Sequence, residues 1–569
     1  MIVINATDIK AMNVHQITDV LNQIPGLNAG ATSVSIRGSN KVLVLLDGRP
    51  INDPTSSHGG IKFDMVFLEN VEKIEIYRGK GGVKYGDNAS GGVILIYSRK
   101  IDTLNGNCKA YAGNYGTFST RTNCQARTQD IGFTVSAGYD ETDGYQTNND
   151  KKKTRAGARV SYSPTTDNNF GLALDYVVDK RGLAGRISYP TPSARKKNEM
   201  SSASLTAELK RVTIETFYNW GENENRDQSR NFRNTTTVNQ VGQDISSSFS
   251  FANWGDLHYG GTWRWQQAES TRFSKRDENW FSLFGILTKT LDFAPLTLAL
   301  GLRSNFYSEF DNTLNPELKL SWTEEFGSKK PADENPETET LKTSGLWTVA
   351  FSYSRINNIP SMYQRYDETV TKRPNPGLDS ETADNFNLSF FLKLGKRFSG
   401  GISFYYNLIN DRITYVWSDD HKGSYENFGK VTYKGVDLNL KFKILKQLSL
   451  KATYAYLKAV NEENGNWMAA KPRHRIFSDL IWQPLSAFSA ILNIKYESKQ
   501  YTRSDNREYA PARTIANLRL KYHPLWAKLD YGRVEFFSEI KNLADKEYLY
   551  GDGGLAPPLT WMSGLNIKF

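Results

Sequence analysis

The first stretch that suggests chemistry is glycine-rich and carries lysines. Residues 71–100 read VEKIEIYRGKGGVKYGDNASGGVILIYSRK. A phosphate-binding P-loop needs Gly, four residues, then Gly-Lys-Ser/Thr opening a helix. Here Gly79-Lys80 runs into Gly81, Gly82 and Val83. No hydroxyl follows the lysine to hold a magnesium ion, and no helical period begins. The stretch reads as a loop between two alternating strands, with glycine supplying positive φ and close backbone approach.

Other catalytic chemistry is equally hard to find. The six histidines, at 15, 58, 258, 421, 474 and 523, lack metal-ligand spacing. There is no hydrolase elbow, zincin or kinase motif. The chain is expected to be neither an enzyme nor a cofactor protein. Two cysteines, Cys108 and Cys124, flank AYAGNYGTFSTRTN, which reads as one hairpin turning near Asn114 to Thr117. Their numbers are roughly symmetric about that turn. A Cys108–Cys124 disulfide fits an oxidising compartment, and two free thiols are the alternative.

The composition is unusual for a large soluble core. Of 569 residues only 39% are hydrophobic, yet aromatics reach 12%, with 30 Tyr, 29 Phe and 12 Trp. No run of eighteen apolar residues occurs, so no transmembrane helix is expected. A transmembrane β-barrel passes that test unseen, because only alternate residues face lipid. The net charge of +10 comes from clusters such as KRGLAGR and RFSKRDE. No nucleic-acid motif accompanies them, so no nucleic-acid partner is expected. Lipopolysaccharide phosphates, an anionic ligand or solvated loops would each account for the charge.

Two regions follow. Residues 1–100 read as a small α/β unit. Val14, Ile17, Val20, Leu21 and Ile24 have helical spacing, Asn13 is the expected N-cap, and Pro25-Gly26 stop the helix. Short strands follow at SVSIRG, KVLVLLDGRPI and VEKIEIYRG. Residues 101–569 read as strand after strand. In VDLNLKFKI, Val436, Leu438, Leu440, Phe442 and Ile444 share one face, while Asp437, Asn439, Lys441 and Lys443 share the other. Short turns alternate with long polar loops, expected at 178–199 and 220–242, and the chain ends on Phe569 inside a strand. This is the outer-membrane pattern: an antiparallel barrel of about 22 strands. One connection, FGSKKPADENPETETLKTSG at 326–345, is charged and Pro-containing, and is expected to be a disordered insertion.

A 22-stranded barrel preceded by a compact α/β unit resembles the TonB-dependent outer-membrane transporters. ITDVLNQIPGL, SIRGS, VLVLLDGRPI and the whole 71–96 stretch are similar to the family's plug motifs. NPGLDSETADNFNLSF, YENFGKVTYKGVDLNL and the closing NLADKEYLYG segment are similar to its barrel motifs. The resemblance implies a membrane all-β barrel with an N-terminal α/β plug in its lumen, in the Gram-negative outer membrane. Plug and short turns would face the periplasm, with long loops outside. It implies energised import of a scarce nutrient, a ferric siderophore or cobalamin-like chelate. Partners would be TonB with the inner-membrane proteins ExbB and ExbD, and the lipopolysaccharide leaflet, around a monomer. The chain opens at MIVINATDI, which aligns with an interior plug strand, so the TonB box and secretory signal lie outside this sequence or are lacking.

The resemblance also assigns residues. Plug arginines Arg37 and Arg78 would pair with barrel carboxylates. The family's second glutamate on one strand is here Asn387, and its Gly-Val-Glu glutamate is Asp437. Asp437, with Glu381, is therefore expected to carry the pairing. The ligand site would combine Asn52, Asp53, Ser56, Ser57 and His58 of the plug with Tyr363, Arg365, Tyr366, Trp417 and Tyr425 of the barrel. Haem is disfavoured, since residues 354–374 hold no histidine. A plugged barrel that only binds or adheres, and a soluble multidomain β protein, are the other classes.

Overall fold

The computed structural model describes residues 1–569 except 13, 58, 102, 328–343, 419–421, 525–527, 530 and 531. Both the His58 and the Asn13 expectations thus lie outside the described residues, as does most of the 326–345 insertion. Its flanks are ordinary ladder: Phe326 pairs with Gly345.

Strict period-two sequence builds the wall. Twenty-two long antiparallel strands close on themselves when Thr560–Lys568 pairs with Asn105–Gly113. Alternation sends polar side chains inward and apolar ones outward, the reverse of a soluble domain. On Val431–Lys443, Asp437 is 1% exposed while Leu438 and Phe442 are about 40% exposed. Phe133, Val135, Leu172, Leu174 and Leu205 lie exposed on neighbouring strands and form part of the outer apolar belt. Closure removes the open edge of the sheet, and within the membrane the ladder is made between neighbouring strands.

Inside lies the α/β unit. Its sheet has the order Ile2–Asn5, Val71–Arg78, Gly92–Ser98, Val42–Leu46, Arg49–Pro50. Only the Val42–Leu46 and Gly92–Ser98 pair is parallel. The apolar core runs from Ile4 through Ile17, Val20 and Leu21 to Ile74, Ile76, Ile94 and Ile96. The helix expected from Val14 to Ile24 is shorter, Ile17–Leu21, and a further helix at Ala6–Met12 precedes it. Gly82–Tyr85 forms one helical turn in the loop that resembled a phosphate cradle. That turn packs on the barrel: a Cβ at Gly82 would lie 2.8 Å from Ile356.

Two expectations need correction. Residues 220–242 are not a loop: strands Val212–Asp227 and Phe232–Phe251 continue in register to their tip, where Asp227 faces Phe232. Twenty residues of strand span about 65 Å, far beyond the apolar band, so the upper half stands in water and carries polar residues on both faces. Likewise the 178–199 loop shrinks, because strands reach Gly182 and restart at Ala194.

The cysteines are free. The hairpin register sets Cys108 opposite Thr122, and Cys124 opposite Gly106. Two residues of offset make the cysteines diagonal neighbours on the outward face, about 7–8 Å apart, beyond disulfide reach. Intact-mass measurement of the unreduced protein after maleimide labelling in denaturant should therefore find two modified thiols; an unlabelled, oxidised pair would contradict this register.

Candidate functional site: the ionic anchors and apex of the plug

The wall presented to the plug is polar, so the plug is held by ions. Arg37 sits at φ +52° in the turn after Ile36. Its Nε donates to Asp437 Oδ2 at 2.8 Å, its Nη1 donates to Asn387 Oδ1 at 2.9 Å, and its guanidinium lies 4.3 Å from the centre of the Tyr405 ring. Arg78 donates to the same Asp437 oxygen at 2.7 Å and to the Pro25 carbonyl at 3.3 Å. One buried carboxylate thus serves two guanidiniums. Gly26 makes this possible: at φ +76°, a Cβ there would stand 2.7 Å from Asp437 Oδ1. Glu381 is not part of the cluster. It accepts from Asn358 Nδ2 at 2.9 Å and from Ile413 N at 3.0 Å. It lies six residues along the strand from Asn387, about 20 Å, which no side chain spans.

Further anchors ring the plug. Arg49 donates to Asp175 at 2.8 Å and to Ser202. Asp87 accepts from Tyr307, Asn305 and Asn315. Lys153 reaches Asp64 at 2.8 Å, and Arg121 reaches Glu69 at 3.3 Å. Burial would raise the Glu69 carboxyl, but Arg121, Lys109 and Arg155 overcome it and hold it at about 2. Nothing in the sequence marks these pairs, because each depends on which of 22 strands faces which plug loop.

The residues expected at the apex divide by what they already hold. Asn52 is committed to the plug, accepting from Val44 N and donating to Val42 O, both at 2.8 Å. Asp53 accepts from Thr55 N and Oγ1, and Ser56 Oγ accepts from Gly60 N. The helix Met362–Tyr366, opened by a Ser361/Gln364 capping box, buries both Arg365 and Tyr366. Arg365 donates to Glu278 at 2.8 Å and to the Pro376 carbonyl, so it is an internal strut and not a free anion ligand. Tyr366 packs with Val238, Ala268 and Met362. Tyr363 and Tyr425 clasp Lys372, whose ammonium lies 3.8 and 4.6 Å from their ring centres and 2.9 Å from Asp367. Trp417 stands 62% exposed on the hairpin Ile413–Trp417/Gly423–Asn427.

Two cavities flank the plug loop at 53–60. One of about 140 Å³ adjoins Asn52, Asp53, Tyr85, Arg264 and Trp280. The other, about 260 Å³, adjoins Thr55, Ser56, Ser57, Tyr363, Lys62 and Lys196. The two lysines were not singled out from sequence. Only the strand register brings Lys196 to Lys62.

The chain matches the family described as TonB-dependent receptor plug domain over residues 1–93, and that described as TonB dependent receptor-like, beta-barrel, over 103–543. It belongs to the TonB-dependent receptors. It is therefore an outer-membrane receptor, in a family of transporters and receptors rather than enzymes. The iron-regulated outer membrane virulence protein of Vibrio cholerae is 23% identical across all of this chain and 92% of that protein. The ferric enterobactin receptor of Pseudomonas aeruginosa superposes with a TM-score of 0.80 at 17% identity, covering 100% of this chain and 98% of that one. The copper transporter OprC superposes at 0.79 with 14% identity, covering both chains fully. These likenesses carry the fold alone.

Two outcomes follow for the receptor. Asp437→Asn leaves two buried guanidiniums short of a counter-charge and should weaken plug docking by about 3–5 kcal/mol. Hydrogen exchange at Val34–Ile36 and Val71–Arg78 should rise, while Glu381→Gln leaves it unchanged. Glu69, depressed when folded, contributes stability above its ordinary value of 4.5, lost as pH falls to about 2. Exchange at Leu68–Asn70 should climb through that window, and Glu69→Gln should flatten the climb.

Proposed function

We propose that this receptor binds a metal chelate, of the ferric siderophore or cobalamin-like kind, at its long-loop end, and imports it when TonB, driven by the proton-motive force, displaces the plug. The observation that carries the reading is the chemistry of the plug–barrel contact. Salt bridges and hydrogen bonds around Asp437, Asp175, Asp87, Asp64 and Glu69 ring it, with local apolar contacts at Val177, Met200 and Ile356. Such polar contacts exchange for water at modest net cost, so a pulled plug can rearrange within a rigid wall. An apolar contact of this size would lose its whole hydrophobic contribution on opening.

The ligand would rest on the plug loop at 53–60, with Asp53, Ser56 and Ser57 below, and Tyr363, Trp417 and Tyr425 around the rim. Arg365 and Tyr366 would support this rim from within. Below the Asp437 cluster, a cavity of about 650 Å³ lies between the plug and the wall, bounded by Arg78 and Asn387. A displaced plug would open onto it.

A tether tests the reading. A Cβ on Gly79 would stand 3.6 Å from Asn385 Cβ, within disulfide range. In a Cys108→Ala, Cys124→Ala background, Gly79→Cys with Asn385→Cys should abolish chelate uptake by cells when oxidised, leave surface binding intact, and recover with reductant. Undiminished uptake through the oxidised tether would refute plug displacement, and binding without uptake in the untethered receptor would make it a binding protein only.

A further inference from the structure

The cavity holding Lys62 and Lys196 has a chemistry of its own. Strand register builds one wall in rows. Lys196, Asn225 and Asn234 lie side by side on three consecutive strands, with Asn198, Asn223 and Thr236 in the row beneath. Both rows face the lumen, since Met200 and Val238, in phase with them, are buried. One row lower is Gly221, paired with Met200 and Val238. The Lys62 ammonium reaches over it from the plug: a Cβ on Gly221 would lie 2.8 Å from Lys62 Nζ.

Neither lysine has a carboxylate within 4.0 Å among the described residues. The charges acting on Lys196 are Asp53, Arg181, Asp179 and Lys62 itself, so the two ammonium groups repel across the cavity. Neighbouring acids are already engaged. Asp64 is shared by Lys151, Lys153 and Arg181, and Asp179 by Arg181 and Lys151. Of the two acids on the lumenal side of the lining, Asp64 is thus taken up from behind by Lys151, Lys153 and Arg181, which leaves Lys62 and Lys196 facing Asp53. Glu222 also adjoins it, but on the outward face, where it pairs in register with Glu199. Half-buried, unpaired ammonium groups favour a counter-anion. Among the described lining side chains only Tyr363 is aromatic; apart from the two lysines and the carboxylates of Asp53, Asp64 and Glu222, the polar lining consists of amides and hydroxyls, which bond oxygen atoms but offer no ring to stack on.

The geometry points to a compact, carboxylate-rich ferric chelate as the substrate, of the α-hydroxycarboxylate class rather than a flat aromatic catecholate, with Lys62 and Lys196 binding its carboxylates and Asn198, Asn223 and Asn225 its remaining oxygens. This rests on the import reading above. Each ammonium supplies a charge-assisted hydrogen bond and no fixed plane, which suits carboxylates on a metal-centred cluster.

The test is titration of the detergent-purified full chain with ferric citrate, iron-free citrate and a ferric tris-catechol complex, followed by tryptophan fluorescence. Ferric citrate should bind saturably and more tightly than the other two. Lys62→Gln and Lys196→Gln should each weaken it about tenfold to a hundredfold, while Lys196→Arg should retain binding and show that the fold is intact. Preference for the catechol complex, unchanged ferric citrate affinity in both glutamine variants, or no saturable ferric citrate binding would overturn the assignment. Catechol preference with uptake that the oxidised tether blocks would leave the import reading standing. Lysine-dependent ferric citrate binding without uptake would overturn import and with it the substrate role, leaving the two lysines as the site of a bound, uncarried chelate.

Discussion

A domain that folds inside a transmembrane barrel must bury charge. The strands turn most of their apolar side chains to lipid, so the inner surface is rich in what remains: carboxylates, amides, hydroxyls and basic side chains. The plug meets few apolar side chains on that surface, among them Val177, Met200 and Ile356. It keeps an apolar core of its own, from Ile4 to Ile96, and spends its outer surface on ion pairs. Asp437 shows the consequence most sharply. A single carboxylate, 1% exposed, accepts from both Arg37 and Arg78, and Asn387, Ser403 and the Tyr405 ring take up the positive charge it leaves over.

This division of labour explains how the molecule can be both stable and mechanically divisible. The barrel is a continuous hydrogen-bonded ladder whose opening would expose unpaired backbone to lipid. The plug has its own apolar core, which meets the wall at Val177 and Met200. Between plug and wall lie chiefly contacts that water can replace. Force applied to the plug meets its weakest resistance at that polar seam, and the wall has no edge from which to unravel.

Much of this was legible in the sequence, and the limits are physical. Period two is local, so the strands, their lipid face and the barrel class could be read directly. The Arg37, Arg78 and Asp437 cluster was legible because each residue lies in a recognisable motif. Residues 220–242 misled because a strand that rises above the membrane no longer needs an apolar face and reads as a loop. Cys108 and Cys124 misled because two residues of register, invisible in a roughly symmetric spacing, separate opposite from diagonal neighbours. Arg365 looked like a ligand group because its partner, Glu278, is 87 residues away in the chain.

Lys62 and Lys196 belong to the same class of unreadable facts, yet they weigh most on specificity. An arginine already braced by Glu278 and the Pro376 carbonyl contributes shape to a pocket but little charge. An ammonium without a partner contributes charge that some anion will answer. The apex therefore separates two tasks: Arg365, Tyr366 and the Lys372 clasp hold the rim in place, and the lysines, with the amide rows beside them, are left to discriminate. Discrimination by unpaired charge is strong, because a ligand lacking the matching anion leaves the cost of the half-buried cations unrelieved.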